Sequence, residues 1–246
     1  MLSFRKQKTS EGVAEIHVDK TQAKGRLEGY DRLKDNVLYM NADGKTKVFQ
    51  IESSVSGEGK TTVAGNLAVS LGMTDKKIIV VDLDFRRPRL HRLFGISKET
   101  GIADYFLGAV TLEDIIKDSG YANVDVITRG AEVHNPALIL VSDKFKALIA
   151  QLKEKYDYVI LDCAPVLQVS DYIHISKVSD GVLFMVAHAL TTKKQVAEAV
   201  KELRKNGANI LGSVFTMYDK KKDKNFYGYG NYYGYQEDLR YADEDQ

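Results

Sequence analysis

Ser53–Thr62 (SSVSGEGKTT) carries the residues most able to do chemistry in this chain. Gly57 and Gly59 let the backbone turn so that successive N–H groups point inward, which suits phosphate oxygens. Lys60 can reach the β and γ phosphates of a bound nucleotide, and the Thr61 hydroxyl can join the shell of a Mg²⁺ ion. Ser56, Gly57, Glu58, Gly59, Lys60, Thr61 and Thr62 form the expected ATP cradle. Ser54 stands where the usual pattern has its first glycine, so chance resemblance is the competing explanation. The loop follows an apolar run and precedes a helical one, and that context favours the cradle.

Two further stretches supply acids. Val80–Pro88 (VVDLDFRRP) ends a buried run with Asp82 and Asp84, and Tyr158–Pro165 (YVILDCAP) ends another with Asp162. Acids at strand ends often cap turns or helices. Beside a phosphate cradle they also suit Mg²⁺, so Thr61, Asp82, Asp84 and Asp162 are the expected metal environment.

Positioning these groups requires strands and helices in alternation. Strands are expected at Val48–Ser53, Lys77–Asp82, Val124–Thr128, Tyr158–Asp162, Gly181–Ala187 and Ile210–Phe215. Helices are expected at Leu27–Met40, Lys60–Leu71, Ser142–Lys155 and Lys193–Asn206. Near-continuous apolar strands between helices imply an α/β fold of the P-loop NTPase kind, a mostly parallel sheet covered on both faces. The domain reading is a flexible arm over 1–26, a helix at 27–44 that could contact an activator or another copy, an ATP-binding domain at 45–217, and a flexible tyrosine-rich tail at 218–246.

Composition narrows the function classes. With 246 residues and a net charge of +1, the chain lacks the overall basic field of a nucleic-acid binder, and no nucleic-acid partner is expected. One cysteine, Cys163, excludes a disulfide framework or a cysteine–zinc cluster. His91, His134, His174 and His188 show no metal-ligand spacing, and Cys163 reads as a small core filler. No run is long enough to span a bilayer, so a cytoplasmic location is expected.

The combination of SGEGKTT, VVDLDFRRP and VILDCAP resembles the bacterial tyrosine kinases of capsule and exopolysaccharide synthesis. It is most similar to the Gram-positive type, whose kinase is a separate chain. The resemblance runs from Glu28 to the end and includes AEVHNPALIL at 131–140. It implies that Lys60 binds phosphate, that Asp82 is the base for an attacking tyrosine, and that Asp84 and Asp162 complete the metal site. It also implies a membrane-spanning activator of the chain-length-determinant type, recruitment to the inner face of the membrane, an opposing tyrosine phosphatase, and a homo-oligomer. Arg86 matches the family's arginine after the paired acids.

The tail fits the same class. Of 14 tyrosines, Tyr227, Tyr229, Tyr232, Tyr233 and Tyr235 lie within nine residues, interleaved with glycine and asparagine. They are the expected autophosphorylation sites, reached between protomers. The alternative for this segment is aromatic stacking on RNA, which the acidic terminus opposes.

Some positions depart from the family pattern. In EGYDRLKDN, Glu28 matches, but Asp31 and Lys34 stand at the arginine positions and Arg32 is displaced by one residue. Glu28, Arg32 and Lys34 are thus candidate oligomer contacts, and a ring would need altered ones. Ser56 and Thr216 replace the usual proline and asparagine. The competing function classes are a positioning ATPase of the MinD/ParA kind, opposed by Val55 at its second-lysine position, and a non-catalytic nucleotide-gated adaptor.

Overall fold

The computed structural model describes residues 15–16 and 24–218. The chain divides into two units, Met1–Thr216 and Met217–Gln246, and every element below belongs to the first. Most of the expected arm and all five candidate phosphorylation sites fall outside the described residues.

Seven strands form one sheet: β1 (Val48–Ser53), β2 (Ile78–Asp82), β3 (Ile116–Asp118), β4 (Val124–Ile127), β5 (Tyr158–Asp162), β6 (Gly181–Ala187) and β7 (Ile210–Thr216). Their order is β3-β4-β2-β5-β1-β6-β7, with only β3 antiparallel, to β4. The long helices are α1 (Lys24–Met40), α2 (Lys60–Gly72), α7 (Asp143–Lys155) and α9 (Lys193–Lys205). Short ones lie between: α3 (Leu90–Phe94), α4 (Ile102–Phe106), α5 (Leu112–Ile115), α6 (Pro136–Leu140) and α8 (Tyr172–Ile175).

Residues that alternate along a strand face opposite sides of the sheet, and each side has its own helices. Phe49, Ile51, Ile78 and Val80 pack with Ala64, Leu67 and Leu71 of α2 and Val37 of α1. Val48, Ile79, Val81, Val159 and Leu161 pack with Phe145, Leu148 and Leu152 of α7. Both faces are dry, which is why β2 and β5 read as unbroken apolar runs. A smaller cluster ties Val182 and Phe184 of β6 to Ala199 and Leu203 of α9.

The expected strands and long helices are present; β1, β5 and β6 match their expected ends, and the others differ by one to three residues. α1 begins at Lys24 rather than Leu27. β3 and the limits of the short helices were not legible in the sequence. Three residues cannot show a period, and β3 is defined by its pairing with β4. α5 starts at a Thr111–Asp114 capping box, a local signal independent of periodicity.

The turn after β4 is packed against the start of α4. Asp104 Oδ2 accepts from the N–H groups of Gly101 (2.7 Å) and Ala131 (3.1 Å). Gly130 has φ +77°, and a Cβ there would lie 2.1 Å from Asp104 Oδ2. Gly130→Ala is therefore expected to destabilise the fold by about 2–4 kcal/mol, measurable by urea unfolding. A cost near zero would mean that this junction gives way freely.

Candidate active site

Because β1, β2 and β5 run parallel, their carboxyl ends open on one edge of the sheet. β1 passes there into the glycine loop. Gly57 and Gly59 have φ of +89° and +87°, a region costly for any residue with a Cβ. Gly59 leads into α2 and contributes no side-chain cap, so the first N–H groups of the helix suit an anion. Lys60 is buried, and its Nζ donates to Ser53 Oγ at 2.9 Å.

Glu58 was expected among the phosphate-facing residues, but its side chain turns inward. One carboxylate oxygen accepts from Val55 N–H (2.7 Å), and the other accepts from Ala187 N–H (3.2 Å) and the Thr191 hydroxyl. The Thr216 hydroxyl donates to the Glu58 carbonyl at 2.8 Å. Glu58 thus fastens the loop to the ends of β6 and β7, and its contribution to a cradle comes through the backbone. Val55, at the second-lysine position of positioning ATPases, takes part through its amide.

Asp82 and Asp162 stand opposite each other in the β2–β5 register. Both are buried. Asp82 Oδ2 accepts from Arg89 and Leu90 N–H, both at 3.1 Å, and Oδ1 from Asp84 N–H at 3.3 Å. Neither oxygen of Asp162 has a hydrogen-bond partner of good geometry among the described residues, the Thr61 hydroxyl lying near enough only to weaken its hold on a proton. Burial, with Asp162 beside it, holds the Asp82 carboxyl well above the usual carboxylate range. Burial also pushes Asp162 up to about 7, while the nearby Thr61 hydroxyl and Lys60 charge pull the other way. Two buried acids this close cannot both ionise without a cation.

Asp84 behaves as a turn cap, accepting from the N–H groups of Arg86 (3.2 Å) and Arg87 (2.9 Å). Among the described residues no three His, Cys, Asp or Glu side chains are grouped to hold a metal ion. Asp82, Asp84 and Asp162 therefore do not make one carboxylate cage. The donors do fit Mg²⁺, which takes one or two carboxylates and fills its remaining places with phosphate and water oxygens. Unpartnered Asp162 and Thr61 are the residues best placed for it.

Glu52 and Asp171 were not singled out from sequence. Glu52 is fully buried, accepts from Gln50 Nε2 at 2.8 Å, and leaves Oε2 unpartnered among the described residues. An acid inside the apolar run VFQIES was its available signal. Asp171 is buried and ion-paired to Arg86, so Arg86 helps hold the loop after β2. Cys163 is buried and its thiol is pushed up by burial, as suits a core filler. On α1, Glu28 pairs with Arg32 and Lys34 with Asp31 (3.1 Å), so the candidate oligomer contacts are engaged within their own helix.

A glycine loop on a parallel sheet, with a lysine opening the next helix and acids on neighbouring strand ends, defines a P-loop nucleotide-binding domain. The AAA domain family model matches residues 46–213. The tyrosine-protein kinase YwqD of Bacillus subtilis is 33% identical over 203 residues, covering 82% of this chain and 85% of that one. The kinase domain of the Escherichia coli tyrosine kinase ETK superposes with a TM-score of 0.81 at 28% identity, covering 92% of this chain and 89% of that structure. The septum site-determining protein MinD from Pyrococcus horikoshii, solved with Mg-ADP, matches with a TM-score of 0.59 at 27% identity, covering 69% of this chain and 70% of that one. The chain belongs to the bacterial tyrosine-protein kinases. It is a protein-tyrosine kinase built on a P-loop fold.

Two predictions follow from this geometry. Glu58→Ala removes the acceptor for three donors and is expected to cost about 2–4 kcal/mol, together with nucleotide affinity. Unfolding and nucleotide titrations read the two effects, and an unchanged affinity would show that the loop keeps its shape without the clamp. The second concerns pH. Burial pushes Glu52 up to about 8 from an ordinary 4.5, and Asp162 up to about 7 from 3.8. Between those limits the unfolded chain binds fewer protons than the folded one, so stability falls as pH rises. The melting temperature without nucleotide or metal should drop from pH 5 to pH 8, and less steeply in Glu52→Gln. A rise over that range would contradict the assignment.

Proposed function

We propose that this kinase transfers the γ-phosphoryl group of Mg-ATP to tyrosines of its own C-terminal cluster, Tyr227, Tyr229, Tyr232, Tyr233 and Tyr235, in another copy of the chain. The observation that carries this reading is the buried Asp82–Asp162 pair beside the Lys60 loop. Lys60 and the loop amides hold the phosphates, and Thr61 and Asp162 hold the metal. Mg²⁺, when bound, neutralises charge on the phosphates. Asp82 is the base: a tyrosine oxygen bonds to the γ phosphorus, the bond from that phosphorus to the β-phosphate bridging oxygen breaks to release ADP, and the phenolic proton passes to Asp82. The raised affinity of Asp82 for protons favours that acceptance, and the amides of Leu90 and Asp84 that it accepts from favour its ionised form beforehand.

The wider reading rests on the family resemblance. Residues 45–217 are the catalytic domain, 27–44 a contact for an activator or another copy, and 1–26 and 218–246 the arm and the acceptor tail. A membrane-spanning activator recruits the kinase to the inner face of the membrane. The modification regulates capsule or exopolysaccharide synthesis and export, and a tyrosine phosphatase reverses it. Among the described residues no helix is long and apolar enough to cross a membrane.

The test is phosphotyrosine mapping by mass spectrometry after incubation with Mg-ATP, with and without the activator's cytoplasmic segment. Wild type should carry phosphate on Tyr227–Tyr235. Lys60→Met and Asp82→Asn should lose it by a factor of about 100 or more. ATP hydrolysis without tyrosine phosphate would instead support a switch ATPase. Loss of both activities in wild type would support the adaptor reading.

A further inference from the structure

The loop after β2 carries an unusual density of positive charge. Arg86, Arg87, Arg89 and Arg92 line a cavity of about 360 Å³ together with Lys98 and Arg129. Two of these have structural duties. Arg86 pairs with Asp171, and Arg129 donates to the carbonyls of Gly130 (3.3 Å) and Phe85 (3.2 Å). Arg87, Arg89, Arg92 and Lys98 are exposed and have no salt bridge or side-chain hydrogen bond among the described residues. The clustered charge is felt inside the cavity: burial, and then Arg92, Lys98, Arg129 and Lys117, lower the proton affinity of His91.

This patch is joined to the catalytic carboxylates. Asp82 accepts from the amides of Arg89 and Leu90, and Asp84 from those of Arg86 and Arg87. The Arg89 charge reaches far enough to favour the ionised form of Asp162. An anion seated here would therefore lie beside the place where an acceptor tyrosine is phosphorylated. Phosphoryl transfer itself needs no such array, because the nucleotide is held by Lys60 and the loop amides.

We propose that this patch is a docking site for the acidic end of the acceptor tail of another copy of the chain, an inference that rests on the kinase reading above. The occupant is argued from complementarity. Residues 236–246 contain five acids, Glu237, Asp238, Asp243, Glu244 and Asp245, against one arginine, Arg240. They directly follow the tyrosine cluster. Glu237 is two residues beyond Tyr235, at most about 7 Å along an extended chain, and Asp243 eight residues beyond, at most about 28 Å. Seating the acids on the arginines would hold the tyrosines near Asp82 and raise their effective concentration there. Arginine suits this role because its fork pairs with carboxylates in two-point fashion.

The test separates docking from catalysis. A fluorescein-labelled peptide of residues 226–246 is titrated into the full chain carrying Lys60→Met, so binding is read with no phosphoryl transfer. Adding Arg87→Ala, Arg92→Ala and Lys98→Ala should weaken binding about tenfold in low salt, and high salt should weaken the parent to a similar degree. Charge reversal at the same three positions (Arg87→Glu, Arg92→Glu, Lys98→Glu) should restore binding to a peptide with Asp243→Lys, Glu244→Lys and Asp245→Lys. In the active chain, the three alanine substitutions should raise the KM for the peptide while leaving kcat and ATP hydrolysis within about twofold. Equal peptide affinity with and without the three cations overturns the proposal. So does binding to phosphatidylglycerol vesicles in place of the peptide. Charge-dependent binding with no tyrosine phosphate in the active chain would remove the kinase reading and leave the docking site standing.

Discussion

Two carboxylates held side by side at the ends of adjacent parallel strands set the terms for the rest of this molecule. Asp82 and Asp162 are buried and paired in register. Like charges at that separation, away from water, strongly favour a proton on at least one of them. The arrangement is tolerable because Lys60 and Arg89 are close by and because Asp82 is bonded to three backbone amides. It becomes favourable when a metal ion and a nucleotide bring further countercharge and coordination. A site of this kind stores a preference for its ligands in the fold itself.

The glycine loop depends on a similar internal bond. Glu58 is an acid in a loop that must receive phosphate, and it is used with its charge directed away from the ligand. Its carboxylate ties the loop to Ala187 and Thr191, and its carbonyl takes the Thr216 hydroxyl. The ends of β6 and β7 are thereby linked to the phosphate cradle. Any change in the loop on binding would be felt at the start of the segment leading to α9.

The loop after β2 shows how one set of backbone bonds serves two ends. Asp82 and Asp84 shape the turn, and the turn displays the arginines. Arg86 is drawn to Asp171, and Arg129 to Phe85, from the two sides. In the sequence Arg86 falls in the family pattern, whereas Arg87, Arg89 and Arg92 carry no signal of their own. A run of arginines usually reads as a solvated surface, and only the fold brings Lys98 and Arg129 to the same cavity.

What the sequence determined by itself was local or periodic. Gly57 and Gly59 were readable because only glycine tolerates the backbone angles of the turn. The strands were readable because a sheet covered on both faces demands unbroken apolar runs. The order of strands and helices then implied a parallel sheet whose acids share one edge. What tertiary structure alone decided was the partner of each polar group. The inward turn of Glu58, the orphaned oxygens of Asp162, the buried Glu52 and the Arg86–Asp171 pair join residues far apart in the chain or depend on burial. β3 also exists only through its neighbour. Spacing along a chain reports backbone geometry and amphipathic faces, whereas the choice among possible partners for a carboxylate is made when packing excludes water.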